Sequence, residues 1–317
     1  MRVLNSIVEL AEVPGPVFLA IGVFDGVHLG HRAVIERALL DSRAANGTAV
    51  IITFDPHPAR VLRPERAPRL LTATKHKLQL IEALGSTHAL VIKFTWEFAD
   101  MEAEKFVLEL HACCKPLREI CVGHEWSFGK NRAGNLATLK RMGDELGFDE
   151  VGVPAVKVDG EIVSSTRIRA AIERGDFAAA ARCLGREYSV LVTVVHGDGV
   201  GRTLGFPTAN LSAHNEQFPP DGVYAVEAWF HGRNRLGVVN IGVRPTITNA
   251  SGERLLELHL FDYSEDIYGE DVEVFFHEFL RAEKKFESQE ALRTQIAADA
   301  MRARQILARD ASSSMGS

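Results

Sequence analysis

No apolar run in this chain of 317 residues approaches the length needed to cross a bilayer. Its opening segment, Met1-Arg2-Val3-Leu4-Asn5-Ser6-Ile7-Val8-Glu9-Leu10, carries acid where a secretory signal would be apolar. No membrane partner is expected, and the cytoplasm is the expected compartment. Cysteine is scarce too. Cys113, Cys114, Cys121 and Cys183 include no C-x-x-C pair, and the first two are chain neighbours that cannot bridge without strain. That argues against a disulfide scaffold or thiolate ligands and predicts reduced, mostly buried thiols. Positive charge is not in excess: Lys plus Arg number 36 against 42 Asp plus Glu, a net charge of -6. The whole molecule therefore has no field that would gather nucleic acid, and any anion must be held by local groups.

What remains is the composition of an ordinary globular protein, 46% hydrophobic and 25% charged. The length exceeds what one hydrophobic core usually supports, so two domains are expected. Apolar runs at Val17 to Val23, Thr48 to Phe54, Ala89 to Phe94, Ile120 to Gly123 and Val151 to Val156 alternate with segments of helical spacing at 33–40, 77–84 and 103–113. Strands apolar on both faces that alternate with helices predict a parallel, doubly wound α/β sheet of Rossmann type. Two capped helices close this half: Ser165-Thr166 to Ile172, ended by Gly175, and Asp176 to Gly185.

Beyond Gly185 the texture changes. Short β-branched runs at Tyr188 to Val195, Val223 to Trp229, Leu236 to Ile241, Leu255 to Phe261 and Val272 to Phe276 follow one another without helices between them. They predict a small antiparallel β-barrel. A closing helix carries Leu292, Ile296, Ala300, Ala303 and Leu307 on one stripe, with Ser288 as its cap. The expected domains are residues 1–185 and 186–317, ordered to about 308, with a disordered tail from Ala311 to Ser317.

Two segments carry the marks of phosphate chemistry. The first, Gly22-Val23-Phe24-Asp25-Gly26-Val27-His28-Leu29-Gly30-His31, lies where an apolar strand ends and a helix begins, the end of an open α/β sheet at which ligands bind. A helix amino terminus presents unpaired N–H groups to an anion, and Gly22, Gly26 and Gly30 permit close backbone approach. His28 and His31, three residues apart, turn to one side of the first helical turn, where they would stabilise charge on a transferring phosphoryl group. Zinc ligation is the weaker reading, since no third ligand stands nearby.

The second segment, His196-Gly197-Asp198-Gly199-Val200-Gly201-Arg202-Thr203-Leu204-Gly205, lacks the Lys-Ser/Thr ending of a Walker loop. Its glycines suit a backbone nest round phosphates instead. Thr208 and Asn210, two apart on an extended stretch, share one side and offer oxygen ligands for Mg²⁺; read alone, they are equally an ordinary turn.

The first segment resembles the nucleotidyltransferase half of the bacterial bifunctional riboflavin kinase/FMN adenylyltransferases, the FAD synthetases. Thr53-Phe54-Asp55-Pro56-His57-Pro58, Val122-Gly123-His124-Glu125-Trp126-Ser127-Phe128-Gly129 and Val163-Ser164-Ser165-Thr166-Arg167-Ile168-Arg169 follow in that family's order. The second segment, with Asp221 to Val226, Asn240 to Thr246, Leu256 to Asp262, Ile267-Tyr268-Gly269 and Arg281 to Phe286, resembles its riboflavin kinase half. The likeness runs from about Pro16 to about Leu307.

It implies two consecutive reactions with ATP as substrate in both: riboflavin to FMN, then FMN to FAD and pyrophosphate. Riboflavin, FMN and ATP would be the partners, with Mg²⁺ as cofactor; a homo-oligomer is neither required nor excluded. The resemblance implies Glu257 as kinase base, His28, His31 and Arg169 as catalytic groups of adenylyl transfer, and Thr208 and Asn210 on the metal. Phosphate binding falls to Gly22, Phe24, Asp25, Gly26, Gly30, Ser164, Ser165 and Thr166 in the first half, and to Gly197, Gly199, Gly201, Arg202 and Gly205 in the second. Flavin binding falls to His57, Glu125, Phe128 and Arg281.

The residues alone also allow plainer roles: Ser165 and Thr166 as a cap, His57 and Glu257 facing solvent, Arg281 within a solvated charge run. At 125 and 126 the family usually carries Asp or Asn followed by Phe; this chain has Glu125 and Trp126. An enzyme with only the kinase half active, or a flavin-binding regulator without chemistry, are the alternative readings.

Overall fold

The computed structural model describes residues 1–195, 208–213, 216–244, 253–263 and 265–314. Its contacts divide the chain into two units, Met1–Ser165 and Thr166–Ser317. The first is a parallel sheet of six strands: β1 (Arg2–Leu4), β2 (Val17–Ile21), β3 (Thr48–Asp55), β4 (His88–Lys93), β5 (Leu117–Gly123) and β6 (Asp149–Val153). Their lateral order is β1-β4-β3-β2-β5-β6. From β2 the order runs outward both ways, so the carboxyl ends of β2 and β5 flank the switch point at which such sheets open a crevice.

Side-chain alternation explains why both faces are covered. Val17, Leu19 and Ile21 of β2 join Val50, Ile52 and Phe54 of β3 in one core with α5 (Ala103–Cys113) and α6 (Leu136–Leu146). Ala20 and Ile51 join the opposite core, with Val34, Ile35 and Ala38 of α1 (Leu29–Ala44) and Ile81 of α3 (Thr74–Ala83). Leu19, Ile51 and Ile52 have no exposed surface, and truncating any one to alanine costs about 2–5 kcal/mol. Short helices α2 (Pro58–Leu62) and α4 (Trp96–Ala99) follow β3 and β4, and a hairpin of β7 (Lys157–Val158) and β8 (Glu161–Ile162) precedes Ser165.

The second unit begins with α7 (Ser165–Glu173, from Thr166 onward) and α8 (Phe177–Leu184), then closes a barrel. Its strands are β9 (Ser189–Val195), β10 (Ala209–Ala213), β11 (Gly222–Phe230), β12 (Arg233–Arg244), β13 (Glu253–Leu260) and β14 (Asp271–Arg281), antiparallel in the order β10-β13-β12-β11-β14-β9. Phe177 of α8 stacks on Tyr188 and Phe276 and meets Tyr224 edge-on, which fixes α8 against the barrel. The family-independent expectation of a barrel is thus realised with six strands, β10 having escaped the periodicity.

Helix α9 (Gln289–Ser314) lies across the barrel, with Ala303, Ile306 and Leu307 packed on Val223, Ala225, Val238 and Leu280. Ser288 accepts the Ala291 amide at 3.1 Å, the expected cap. The helix runs to Ser314, beyond the end expected near 308, because Ala308-Arg309-Asp310-Ala311 contains no helix breaker.

Candidate active sites

At the end of β2 the backbone takes an unusual path. Phe24, Gly26 and Val27 all have positive φ, at 51°, 89° and 41°. For a β-branched residue such as Val27 this is strained, and the surroundings must hold it. They do so from several directions. Asp25, 3% exposed, accepts the amides of Leu71 at 2.8 Å and Thr72 at 3.1 Å on one carboxylate oxygen. The Gly26 amide donates to the Thr72 hydroxyl at 3.0 Å, and the Ser165 hydroxyl donates to the Asp25 carbonyl at 2.9 Å. A side chain at Gly26 would strike Leu71 at 2.7 Å, so both φ and space demand glycine.

This turn delivers His28 to the amino terminus of α1 as its cap. His28 Nδ1 accepts the His31 amide at 3.3 Å, which leaves Nε2 to carry the ring proton as a donor. The two imidazoles stack at 3.5 Å with 17° between planes, and Phe24 meets His31 edge-on at 5.5 Å. His31 Nδ1 is buried without a hydrogen-bond partner. Burial, then the neighbouring His28 and Lys77, hold the His31 imidazole well below its ordinary value of 6.5. The ring is uncharged at neutral pH and poised to donate to, rather than pair with, an arriving phosphate oxygen.

Around Val23 a cavity of about 820 Å³ opens in the first unit. Phe54, Phe94, Phe98 and Phe106 supply aromatic walls, each ring edge-on or tilted to its neighbour at 5.6–6.0 Å. Trp126 stacks on Phe128 at 4.4 Å with 12° between planes, and Phe128 meets Phe106 edge-on at 6.1 Å. Flat aromatic surfaces enclosing this volume suit a planar heteroaromatic ligand. The rim is polar: Glu125 lies there, Lys130 pairs with Asp100 at 2.8 Å, and Arg132 donates to Ser127 at 2.7 Å.

In the barrel, Asn210 of β10 stands opposite Glu257 of β13, and Glu257 stands opposite Asn240 of β12. Directly opposed residues share a face, so the three polar side chains form a row across three strands. Their neighbours Leu256, Leu258, Val239 and Ile241 are buried on the other face, inside the barrel. The row therefore lies on the outer face, half-buried. Two residues along β12 from Asn240, a side chain at Gly242 would meet the Glu283 carboxylate at 2.3 Å, so glycine is what lets that acid approach.

Among the described residues one group has metal-ligand spacing: Asp41, Glu119 and Cys121, donor atoms within 4.8 Å of one another. It sits mid-sheet, Glu119 beside Phe18 and Cys121 beside Ala20, away from the strand ends. Burial raises both Glu119 and Cys121, the thiol donates to the carboxyl at 2.9 Å, and Arg37 pairs with Asp41. A carboxyl whose proton affinity is raised by burial, beside a thiol that donates to it, satisfies itself, in keeping with cysteines that are free and mostly buried.

The sequence model of FAD synthetase matches residues 11–167, and that of riboflavin kinase residues 184–307. A bifunctional riboflavin kinase/FMN adenylyltransferase of Escherichia coli K12 is 36% identical over 307 residues, covering 96% of this chain and 97% of its own. The chain belongs to the bifunctional riboflavin kinase/FMN adenylyltransferase family. A member from Pseudomonas fluorescens is 36% identical over 91% of this chain and 92% of its own. A Streptococcus pneumoniae crystal structure described as a macrolide-efflux protein is 28% identical, with a TM-score of 0.79 over 94% of this chain and 97% of that one. Among the described residues here, no helix is long and apolar enough to cross a membrane.

Set against this family, the expected site residues fall into three groups. His28, His31, Phe24, Gly22, Gly26 and Gly30 gather at the end of β2, with Ser165 bonded to the same turn. Phe24 contributes as a buried wall and Asp25 as a brace, its carboxylate engaged by amides rather than turned toward an anion. Glu125 and Phe128 line the aromatic cavity; His57 instead caps α2, its Nδ1 accepting the Ala59 amide at 3.1 Å, and Pro58 takes the lining position.

Asn210 and Glu257 come together in the barrel, with half-buried Thr208 just ahead of β10. Arg281 is a clamp: Nε donates to buried Asp299 of α9 at 2.8 Å and a terminal nitrogen donates to the Ala282 carbonyl at 3.1 Å. Ser164, Thr166 and Arg169 lie at or near the start of α7. Gly197, Gly199, Gly201, Arg202 and Gly205 lie outside the described residues. Two groups escaped the sequence reading, Asn240 beside Glu257 and Lys77 beneath His31. Asn240 lay within a motif the sequence offered; Lys77 carried no motif at all.

Proposed function

We propose that the barrel unit moves the γ-phosphoryl group of ATP to the ribityl 5′-hydroxyl of riboflavin, and that the sheet unit then joins FMN to the AMP part of a second ATP, releasing pyrophosphate. The observation that carries this reading is the fall of the two family matches on two separate compact units, each with its own cluster of chemistry-bearing side chains. FMN, product of one, is substrate of the other.

In the barrel, Glu257 accepts the proton of the attacking hydroxyl, and the amides of Asn210 and Asn240 on either side orient the carboxylate and substrate. The donor set near the row, a hydroxyl on Thr208 and an amide oxygen on Asn210, is all oxygen and fits Mg²⁺. When bound, that ion supplies charge neutralisation on the transferring phosphate.

In the sheet unit, the flavin ring enters the aromatic cavity against Trp126 and Phe128, supported by its volume and flat walls. The FMN phosphate attacks the α-phosphorus of ATP while His28 and His31 donate to its oxygens; no covalent enzyme intermediate is needed. Ser164, Ser165, Thr166 and Arg169 are assigned to ATP phosphates on their motif. Substrates of this kind place the work in the cytoplasm.

The test supplies riboflavin with Mg-ATP, and separately FMN with Mg-ATP, and resolves the flavins by chromatography. FMN in the first and FAD in the second are expected. No FMN removes the kinase assignment, and no FAD removes the adenylyltransferase assignment.

A further inference from the structure

Beneath the strained turn after β2 lies a charged group that the proposed chemistry does not use. Lys77 of α3 is 4% exposed, and its ammonium donates to the Val23 carbonyl and to the Thr53 hydroxyl, both at 3.0 Å. The Thr53 hydroxyl itself donates to that same carbonyl at 2.9 Å. Two donors from two elements, α3 and β3, thus converge on one backbone atom, the carbonyl two residues before Asp25. We propose that Lys77 is a positioning residue for adenylyl transfer, an ammonium wedged between the ends of β2 and β3 that fixes the turn presenting His28 and His31. The proposal rests on the adenylyltransferase reading of this site.

The turn holds three residues at positive φ, one of them Val27, and a strained segment keeps its shape only while its surroundings over-determine it. Asp25 and Thr72 fix the far side of the turn. Lys77 and Thr53 fix the near side, where Val23 also borders the aromatic cavity. An apolar residue at 77 would leave the Val23 carbonyl to Thr53 alone. A shift of about 1 Å in reacting groups costs on the order of 10²-fold in rate.

Charge adds a signature that packing alone would not have. Burial lowers Lys77 to about 8, against the raising pull of Asp25 and Asp55. His31 faces His28 from the turn, Phe24 edge-on, and Lys77 from α3; burial first, then His28 and the Lys77 ammonium, disfavour its protonation. At neutral pH Lys77 is charged and helps to keep His31 neutral; above about pH 8 the ammonium loses its proton and the field at the phosphate site weakens.

The experiment uses the full-length chain and three forms: wild type, Lys77→Met and Lys77→Arg. FMN-to-FAD and riboflavin-to-FMN rates are followed on the same preparations across about pH 6 to 10, and histidine ring signals are titrated by NMR. Lys77→Met is expected to slow FAD formation by about 10²-fold at neutral pH and to leave riboflavin phosphorylation unchanged, which also reports that the chain is folded. The wild-type FAD rate should fall as pH rises through about 8. Lys77→Arg, whose side chain keeps its charge, should recover part of the rate lost in Lys77→Met and show no such alkaline fall.

In the NMR titration, the His31 midpoint should move up in Lys77→Met. A Lys77→Met chain that makes FAD at the wild-type rate overturns the proposal, as does an unmoved His31 titration. A wild-type chain that makes no FAD overturns the adenylyltransferase reading instead, and the His31 titration, which needs no turnover, still decides the place of Lys77.

Discussion

Glu257 and His28 are each flanked by groups that leave them one task. Glu257 stands between two carboxamides in the same row, Asn210 and Asn240; replacing its carboxylate with an amide keeps the shape and removes the base. Glu257→Gln is expected to slow FMN formation by about 10²–10⁴-fold while FMN-to-FAD conversion keeps its wild-type rate. His28→Ala should do the reverse, slowing FAD formation by about 10²–10³-fold. Steady-state assays of both steps on each variant check this, and equal loss of both activities in either would contradict separate sites.

His31 adds a dependence of stability on pH. Its folded value lies below that of the unfolded chain, so below about pH 6.5 the unfolded state takes up a proton the folded state refuses. Stability is thus lost as pH falls, by up to about 1.4 kcal/mol per pH unit until the folded value is reached. Wild type should lose more thermal stability than His31→Gln between pH 7 and 5, measured by calorimetry. The histidines were legible because spacing and glycines surround them. Lys77 was not, because a lysine at the edge of an amphipathic pattern normally faces water, and only the packing of α3 beneath the turn buries it.

Among elements, the segments that orient others were hardest to read. Arg281 looked like one charge in a solvated run, yet its side chain is 19% exposed and Asp299 only 7%. The pair ties β14 to α9, which covers one side of the barrel. Asp299→Ala leaves the guanidinium without its carboxylate, and should cost about 2–3 kcal/mol given the partial exposure of Arg281. Urea unfolding of the barrel, followed with riboflavin kinase activity, is the measurement. Helix α6 went unnoticed although it carries an Asn135/Thr138 capping box and a left-handed Gly147; its end signals were present in the chain. The cavity offers a direct optical readout, since Trp126 stacks on Phe128 in its wall. FMN should quench the emission of Trp126, and Trp126→Phe should keep FAD synthesis while losing that part of the quench.

For the whole molecule, two clusters on two units predict that the half-reactions separate in variants and recombine in mixtures. A mixture of Glu257→Gln and His28→Ala chains should turn riboflavin into FAD, one supplying FMN and the other consuming it. Failure of the mixture, with each variant keeping its own remaining activity, would mean that FMN is not released between steps. The sequence by itself determined the α/β-then-barrel order, because alternation with period two and helical spacing are written locally. It also determined the family, because its motifs are contiguous.

Tertiary structure alone decided which polar groups meet. Strand pairing set Asn240 beside Glu257, helix packing set Lys77 under Val23, and amides 46 and 47 residues downstream claimed Asp25. Each of these is a long-range contact whose energy depends on burial and geometry, and none is carried by a run of neighbouring residues.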